Sequence, residues 1–145
     1  MNILLLTPCR RFIANRSGLG YQIPLGMVLI GGPLVDAGHT VRLLDNDLYG
    51  WSDSELVSQL RENPPACVLL GHTSSTAAHP VAMRTARTLR EAFPSAVIVY
   101  GGVYASYASE QVLTDNPELD AVVRGEGEQT VLELAAAIAA HGDGP

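Results

Sequence analysis

Apolar positions along the chain fall into short unbroken runs, separated by longer stretches in which they recur every three or four residues. Ile3-Leu4-Leu5-Leu6, ending at Thr7-Pro8, is the first such run. Thr40 to Leu44 ending at Asp45, Cys67 to Leu70, Ala96 to Tyr100 before Gly101-Gly102, and Asp120 to Val123 repeat it. Short apolar runs of this kind suit strands covered on both faces. The stretches between them predict helices. Pro24 can open one that reaches Gly38 through Leu25, Val28, Leu29, Leu34 and Val35. Gly31-Gly32-Pro33 is expected to kink or split it, because proline removes a backbone donor and crowds the preceding turn. Ser52-Asp53-Ser54-Glu55 is a helix-start signature ahead of Leu56, Val57 and Leu60, and Pro64-Pro65 closes that helix. Further helices are predicted from about Pro80 to Ala92, near Ser109 to Thr114, and after Gly125-Glu126-Gly127. Residues 9 to 23 keep no period and are expected to form a long loop.

Parallel strands need crossovers, and crossovers pack as right-handed helical connections. The alternation therefore predicts a doubly wound α/β fold: a five-stranded parallel sheet in the flavodoxin-like (Rossmann-like) order 2-1-3-4-5, with helices on both faces. A length of 145 residues suits one domain. Residues 1–140 are expected to form it, with 141–145 a tail or the start of a linker. In open parallel sheets ligands sit at the carboxyl ends of the strands. The loops there are Thr7-Pro8, Asp45 to Gly50, Gly71 to Thr76, Gly101 to Tyr104 and Gly125 to Glu128. Small and hydroxyl-bearing residues in them would let a bulky ligand approach the backbone and give it neutral hydrogen bonds. The expected ligand is large and carries little charge.

Composition narrows the chemistry. Fifteen acidic residues against nine basic ones give a net charge of −6, which argues against nucleic acid and against an anionic membrane surface. Every basic residue is Arg; without lysine neither a Walker P-loop nor a Schiff base can be built. Cys9 and Cys67 are too few for a disulfide framework and too isolated for the Cys-x3-Cys-x2-Cys run of an iron–sulfur site. The first residues lack a basic leader, and the apolar stretch from Ile23 to Val35 is interrupted and shorter than the ~20 residues that cross a bilayer. A soluble, cytoplasmic protein that binds but does not itself catalyse is expected.

Rival ligands for this architecture fit poorly. Gly18-Leu19-Gly20 lies a dozen residues past its strand and has Ile23 where a dinucleotide fingerprint needs its third glycine. Glu126 and Glu128 at a helix start would repel a pyrophosphate. The acidic residues and lysine of a phospho-acceptor receiver are missing, and Pro8-Cys9-Arg10-Arg11 stands where a flavin phosphate loop would need hydroxyls.

Tyr100-Gly101-Gly102-Val103-Tyr104-Ala105 followed by Asp120-Ala121-Val122-Val123-Arg124-Gly125-Glu126-Gly127-Glu128-Gln129-Thr130 resembles a known pattern of a double-glycine turn and an acidic turn into the last helix. Together with Asn2-Ile3-Leu4-Leu5, Pro24-Leu25-Gly26 and Gly38-His39-Thr40-Val41, it is similar to the N-terminal cobalamin (vitamin B12)-binding domain of B12-dependent radical S-adenosylmethionine (SAM) enzymes. Radical methyltransferases and anaerobic magnesium-protoporphyrin ester cyclases carry this domain. The resemblance implies a corrinoid across the strand ends, its nucleotide tail pushed into the sheet beside the third and fourth strand loops. The strand-end loops and the resemblance together give as expected cobalamin contacts Thr7, Pro8, Asp47, Tyr49, Gly50, His72, Thr73, Ser74, Ser75, Thr76, Gly101, Gly102, Val103, Tyr104, Gly125, Glu126 and Gly127. The resemblance assigns no catalytic residue and no metal ligand to this chain.

In B12 domains of the methionine-synthase and mutase type the second loop reads Asp-x-His-x-x-Gly, the His being the lower cobalt ligand. The same frame here reads Asp45-Asn46-Asp47-Leu48-Tyr49-Gly50, with Asp47 in place of the His. The implied state is cobalamin with its own base displaced and no His in its stead. A [4Fe-4S] cluster and SAM would belong to a partner radical SAM domain, in cis or in trans, and the complete enzyme would perform methyl transfer or oxidative ring chemistry. A free-standing corrinoid carrier, a B12-sensing module and a nucleotide-binding module of the same fold are the alternatives. Tyr49, Trp51, Tyr104 and Tyr107 are candidates for an aromatic rim, His72 and His79 for ligand contacts, and Arg10, Arg11 and Arg16 for contacts to the corrin amides, a substrate or a partner domain. Replacing Gly102 with Phe is expected to block the tail slot without unfolding the domain.

Overall fold

The computed structural model describes residues 1–10, 21–72 and 76–142. Its strands are β1 (Asn2–Thr7), β2 (Thr40–Asp45), β3 (Cys67–His72), β4 (Val97–Gly102) and β5 (Ala121–Val123). They pair in parallel throughout, in the order β2-β1-β3-β4-β5. The helices are α1 (Leu25–Asp36), α2 (Asn46–Tyr49), α3 (Asp53–Arg61), α4 (His79–Ala92), α5 (Val103–Tyr107), α6 (Ser109–Asp115) and α7 (Glu128–Gly142), with a 3-10 turn at Thr76–Ala78 ahead of α4.

Alternation along the strands divides the core into two layers. Ile3, Leu5, Cys67, Leu69, Val99 and Val123 meet Met27 and Leu34 of α1 and Val131 and Ala135 of α7. Leu4, Leu6, Val68, Leu70, Ile98 and Tyr100 meet Leu56 and Leu60 of α3, Ala82, Met83, Ala86 and Leu89 of α4, and Val112 of α6. An apolar run without alternation is what a strand buried between two such layers requires. The sheet reverses its winding at β1, whose neighbours β2 and β3 lie on opposite sides, so the crevice at the carboxyl end of β1 and β3 is the switch point where a ligand is expected.

Three boundaries differ from the sequence reading. α1 runs unbroken through Pro33 rather than splitting there. Its partners explain why: a Cβ at Gly31 would stand 2.9 Å from Leu5 Cδ1, so Gly31 is the point of close approach to β1, and the buried Leu34 anchors the turn beyond it. The helix ends where predicted, at Gly38 with φ +84°. β4 does not stop at Gly101-Gly102; both glycines remain paired, with Gly71 and His72. Asp120 precedes β5 rather than starting it, and its carboxylate accepts the Ile98 N–H at 2.7 Å and Arg90 Nη2 at 2.5 Å. The short helices α2 and α5, with four and five residues, leave no period to read. Most of the expected long loop, residues 11–20, lies outside the described residues, and so do the tail residues 143–145.

Candidate functional site

Odd-numbered positions of the strands face α1 and α7, and at the carboxyl ends these positions become Thr7, Gly71 and Gly101. Apolar side chains thus give way to a hydroxyl and two hydrogens at the place where α1 and α7 begin. The result is a cleft of about 200 Å³. Its floor is Thr7, Leu69, Gly71, Val99, Gly101 and Val123; its walls are Pro24, Gly26, Met27, Leu29 and Ile30 on one side and Gly125 to Glu128 with Val131 on the other, with Arg10 at the margin. The Thr7 hydroxyl is buried and has no hydrogen-bond partner among the described residues. A buried hydroxyl is costly to leave unmatched, so a ligand group that can hydrogen-bond fits there.

The two glycines of the predicted pair do different work. A Cβ on Gly101 would make only ordinary contacts, 3.7 Å from the Val123 carbonyl oxygen, so Gly101 leaves room in the cleft. Gly102 has φ +113°, and its Cβ would stand 2.9 Å from the His72 carbonyl oxygen. That position is glycine for the backbone's sake, and the expectation that Phe is tolerated there is corrected on this ground.

Thr7, Gly101, Gly102, Gly125, Glu126 and Gly127 of the sequence-derived set line the cleft. His72 contributes to its lining, yet its ring belongs to the other face: Nε2 lies 2.7 Å from the hydroxyl of Tyr100, which His79 Nδ1 approaches at 3.4 Å. Burial pushes the Tyr100 hydroxyl well above its ordinary pKa, with the neighbouring Tyr104 adding to it, and burial lowers that of His79. Both histidines therefore complete a core network. Tyr104 packs on His79 with ring centres 4.4 Å apart, whereas Tyr49 stacks on Trp51 at the end of β2, also at 4.4 Å. The aromatic candidates form two such pairs, and Tyr107 stands apart, 89% exposed. Pro8 follows β1, Gly50 ends α2 in the left-handed conformation, Val103 begins α5 exposed, and Thr76 is exposed in the 3-10 turn. Thr73, Ser74 and Ser75, like Arg11 and Arg16, lie outside the described residues.

Asp47 is tied down. Arg10 Nε donates to its Oδ2 at 2.7 Å, the Arg10 backbone N–H donates to Oδ1, and Nη2 pairs with Oδ2. Its own backbone N–H donates to Asp45 Oδ1 at 3.1 Å, and Asp45 Oδ2 accepts the Tyr21 hydroxyl at 2.7 Å. That bond to Asp45 raises the pKa of Tyr21.

The B12 binding domain family matches residues 13–135. The chain belongs to the B12-binding domain family. This B12-binding domain is 46% identical over 143 residues to an anaerobic magnesium-protoporphyrin IX monomethyl ester cyclase of Synechocystis sp., covering 99% of the chain and 29% of that protein. It is 32% identical over 124 residues to a hopanoid C-3 methylase of Methylococcus capsulatus, covering 83% of the chain and 23% of that protein. Among solved structures it superposes on the cobalamin-dependent S-adenosylmethionine radical enzyme OxsB, solved with aqua-cobalamin and S-adenosylmethionine bound, with a TM-score of 0.75. That match has 18% identity and covers 91% of the chain and 18% of OxsB, so it speaks to the fold. The domain thus spans under a third of the curated relatives it matches.

Sequence reasoning missed Met27, Leu29, Ile30, Leu69, Val99, Val123 and Val131 as cleft residues. The available signal was parity: Leu69 and Val99 lie two residues before Gly71 and Gly101 and so share their face.

Proposed function

We propose that this domain binds cobalamin with the nucleotide tail inserted in the cleft between α1 and α7 and the corrin spread over the strand ends. The carrying observation is the cleft itself, an apolar slot of about 200 Å³ floored by Gly71, Gly101 and the Thr7 hydroxyl. An elongated ligand with an aromatic end group suits it: Leu69, Val99 and Val131 would enclose the rings, and Thr7 would hydrogen-bond a ring nitrogen or amide. Glu126 and Glu128 beside it disfavour a polyphosphate, which supports a corrinoid over a nucleotide. A buried tail base cannot reach the metal, and the second loop contains no His, so the lower face is proposed to lack a nitrogen donor. When bound, cobalamin supplies a cobalt centre that can carry and give up a methyl group. The domain's contribution is to take the tail out of water and orient the corrin. We further propose that it serves an enzyme of the radical SAM class, whose partner domain in cis or in trans holds the iron–sulfur cluster and SAM.

Titration with hydroxocobalamin followed by absorbance should show one equivalent bound per chain, and excess ATP or NAD should not displace it. After reduction, the Co(II) paramagnetic resonance spectrum should lack axial nitrogen splitting. No uptake would overturn the assignment; persistent nitrogen splitting would overturn the displaced base.

A further inference from the structure

We propose that Ser106 is a positioning residue for the cleft: its hydroxyl ties the end of β4 to the turn before α7 and so sets the width of the slot that receives the cobalamin tail. The inference rests on the cobalamin reading above. Gly102 and Gly125 both line the cleft. Ser106, in α5, acts through them. Its hydroxyl donates to the Gly102 carbonyl oxygen at 2.9 Å and accepts the Gly125 backbone N–H at 2.9 Å. A carbonyl only accepts and a backbone N–H only donates, so the bridge needs a group that does both at once.

The surroundings show what the bridge holds. β5 is an edge strand of three residues, and its pairing with β4 ends at Gly101 and Val123. Beyond that rung β4 is still held on its other side, where Gly102 pairs with His72 of β3. The chain after β5 leaves the ladder and turns at Gly125, with φ +65°. Ser106 fastens this turn to the part of the sheet that stays anchored, as one further rung with a hydroxyl inserted in it. The turn in its place sets the start of α7. A Cβ at Gly127 would lie 3.5 Å from Ile30 Cγ2 on the opposite wall and 3.5 Å from Val123 Cγ1 on the floor. Displacing Gly125 therefore moves Gly127 relative to Ile30 and changes the gap between α1 and α7. Gly125 is exposed, so water can satisfy its N–H when the hydroxyl is removed, but water does not pin the turn to β4. The loss falls on the shape of the cleft more than on the stability of the fold.

The test separates the two. The parent chain and the variants Ser106→Ala, Ser106→Thr and Ser52→Ala are titrated with hydroxocobalamin by absorbance, with urea unfolding of each and amide exchange of the unliganded chains. Ser106→Ala is expected to weaken binding about tenfold and to speed exchange at Gly125 while leaving Leu56 to Leu60 unchanged. Ser106→Thr keeps the hydroxyl and is expected to bring affinity back to within about threefold of the parent. Ser52→Ala removes the cap of α3 on the other face and is expected to bind as the parent does. Parent-like affinity in Ser106→Ala would overturn the proposal. So would a folded Ser106→Thr that binds no better than Ser106→Ala, or an affinity loss as large in Ser52→Ala, since stability alone would then account for it. If Ser106→Ala loses its unfolding transition, Ser106→Cys, whose thiol is a weak donor and acceptor, carries the same comparison. Failure of the parent chain to take up cobalamin would sink the reading of the cleft and this assignment with it, whereas uptake with unchanged exchange at Gly125 in Ser106→Ala sinks the Ser106 role alone.

Discussion

A side chain at Gly101 would grow from a position with ordinary contacts, 3.7 Å from the nearest backbone oxygen, into the cleft. Gly101→Leu is therefore expected to keep an unfolding midpoint within a few degrees of the parent while weakening hydroxocobalamin binding more than tenfold, about 1.4 kcal/mol. Parent-like affinity in that variant, measured by absorbance titration, would place the ligand elsewhere. Gly102→Phe should behave in the opposite way, because a Cβ at φ +113° and 2.9 Å from the His72 carbonyl oxygen strains the chain itself. A loss of roughly 1–3 kcal/mol in urea unfolding is expected. The glycine and hydroxyl positions could be found in the sequence because punctuation at strand ends is visible one residue at a time. The difference between Gly101 and Gly102 could not, since it depends on how closely β4 passes β3. The same holds for Asp47, whose occupation by Arg10 joins residues 37 positions apart.

Among the elements, those with a local cause were readable and those with a tertiary cause were not. Ser52 caps α3 through a reciprocal arrangement: its hydroxyl accepts the Glu55 N–H at 3.3 Å, and the Glu55 carboxylate accepts the Ser52 N–H at 2.8 Å. That signature was legible as Ser-x-x-Glu. Ser52→Ala should cost about 1 kcal/mol in chemical denaturation and leave cobalamin affinity unchanged, since α3 lies on the face opposite the cleft. A combined loss of stability and affinity would mean that the two faces are coupled. α1 is the contrary case. Local rules break it at Pro33, but packing of Gly31 on Leu5 and burial of Leu34 keep it whole, so tertiary contact overrides propensity there.

For the whole molecule, pH and ligand act on different faces. His79 is pushed toward its neutral form by burial, with the rings of Tyr100 and Tyr104 packed around it. The unfolded chain then binds the extra proton more readily, so the stability tied to this group is complete above the ordinary histidine pKa of about 6.5 and declines as pH falls below it. His79→Gln should flatten the fall of the unfolding midpoint between about pH 7 and 5.5; an unchanged slope would remove His79 from the account. On the other face, cobalamin at a hundred times its dissociation constant should add about 2.7 kcal/mol and raise the midpoint by roughly 5–10 °C.

The floor of the cleft is set by glycines that carry no side chain, and its walls are the first turns of two helices that pack on β1, β3, β4 and β5. Those turns run around Gly26 to Ile30 and Glu128 to Val131. A tail seated there would act as a keystone between them. Amide exchange should slow at both turns together on filling and stay as it was along Leu56 to Leu60, so the fold would be completed by its cargo at one end while the other is already finished.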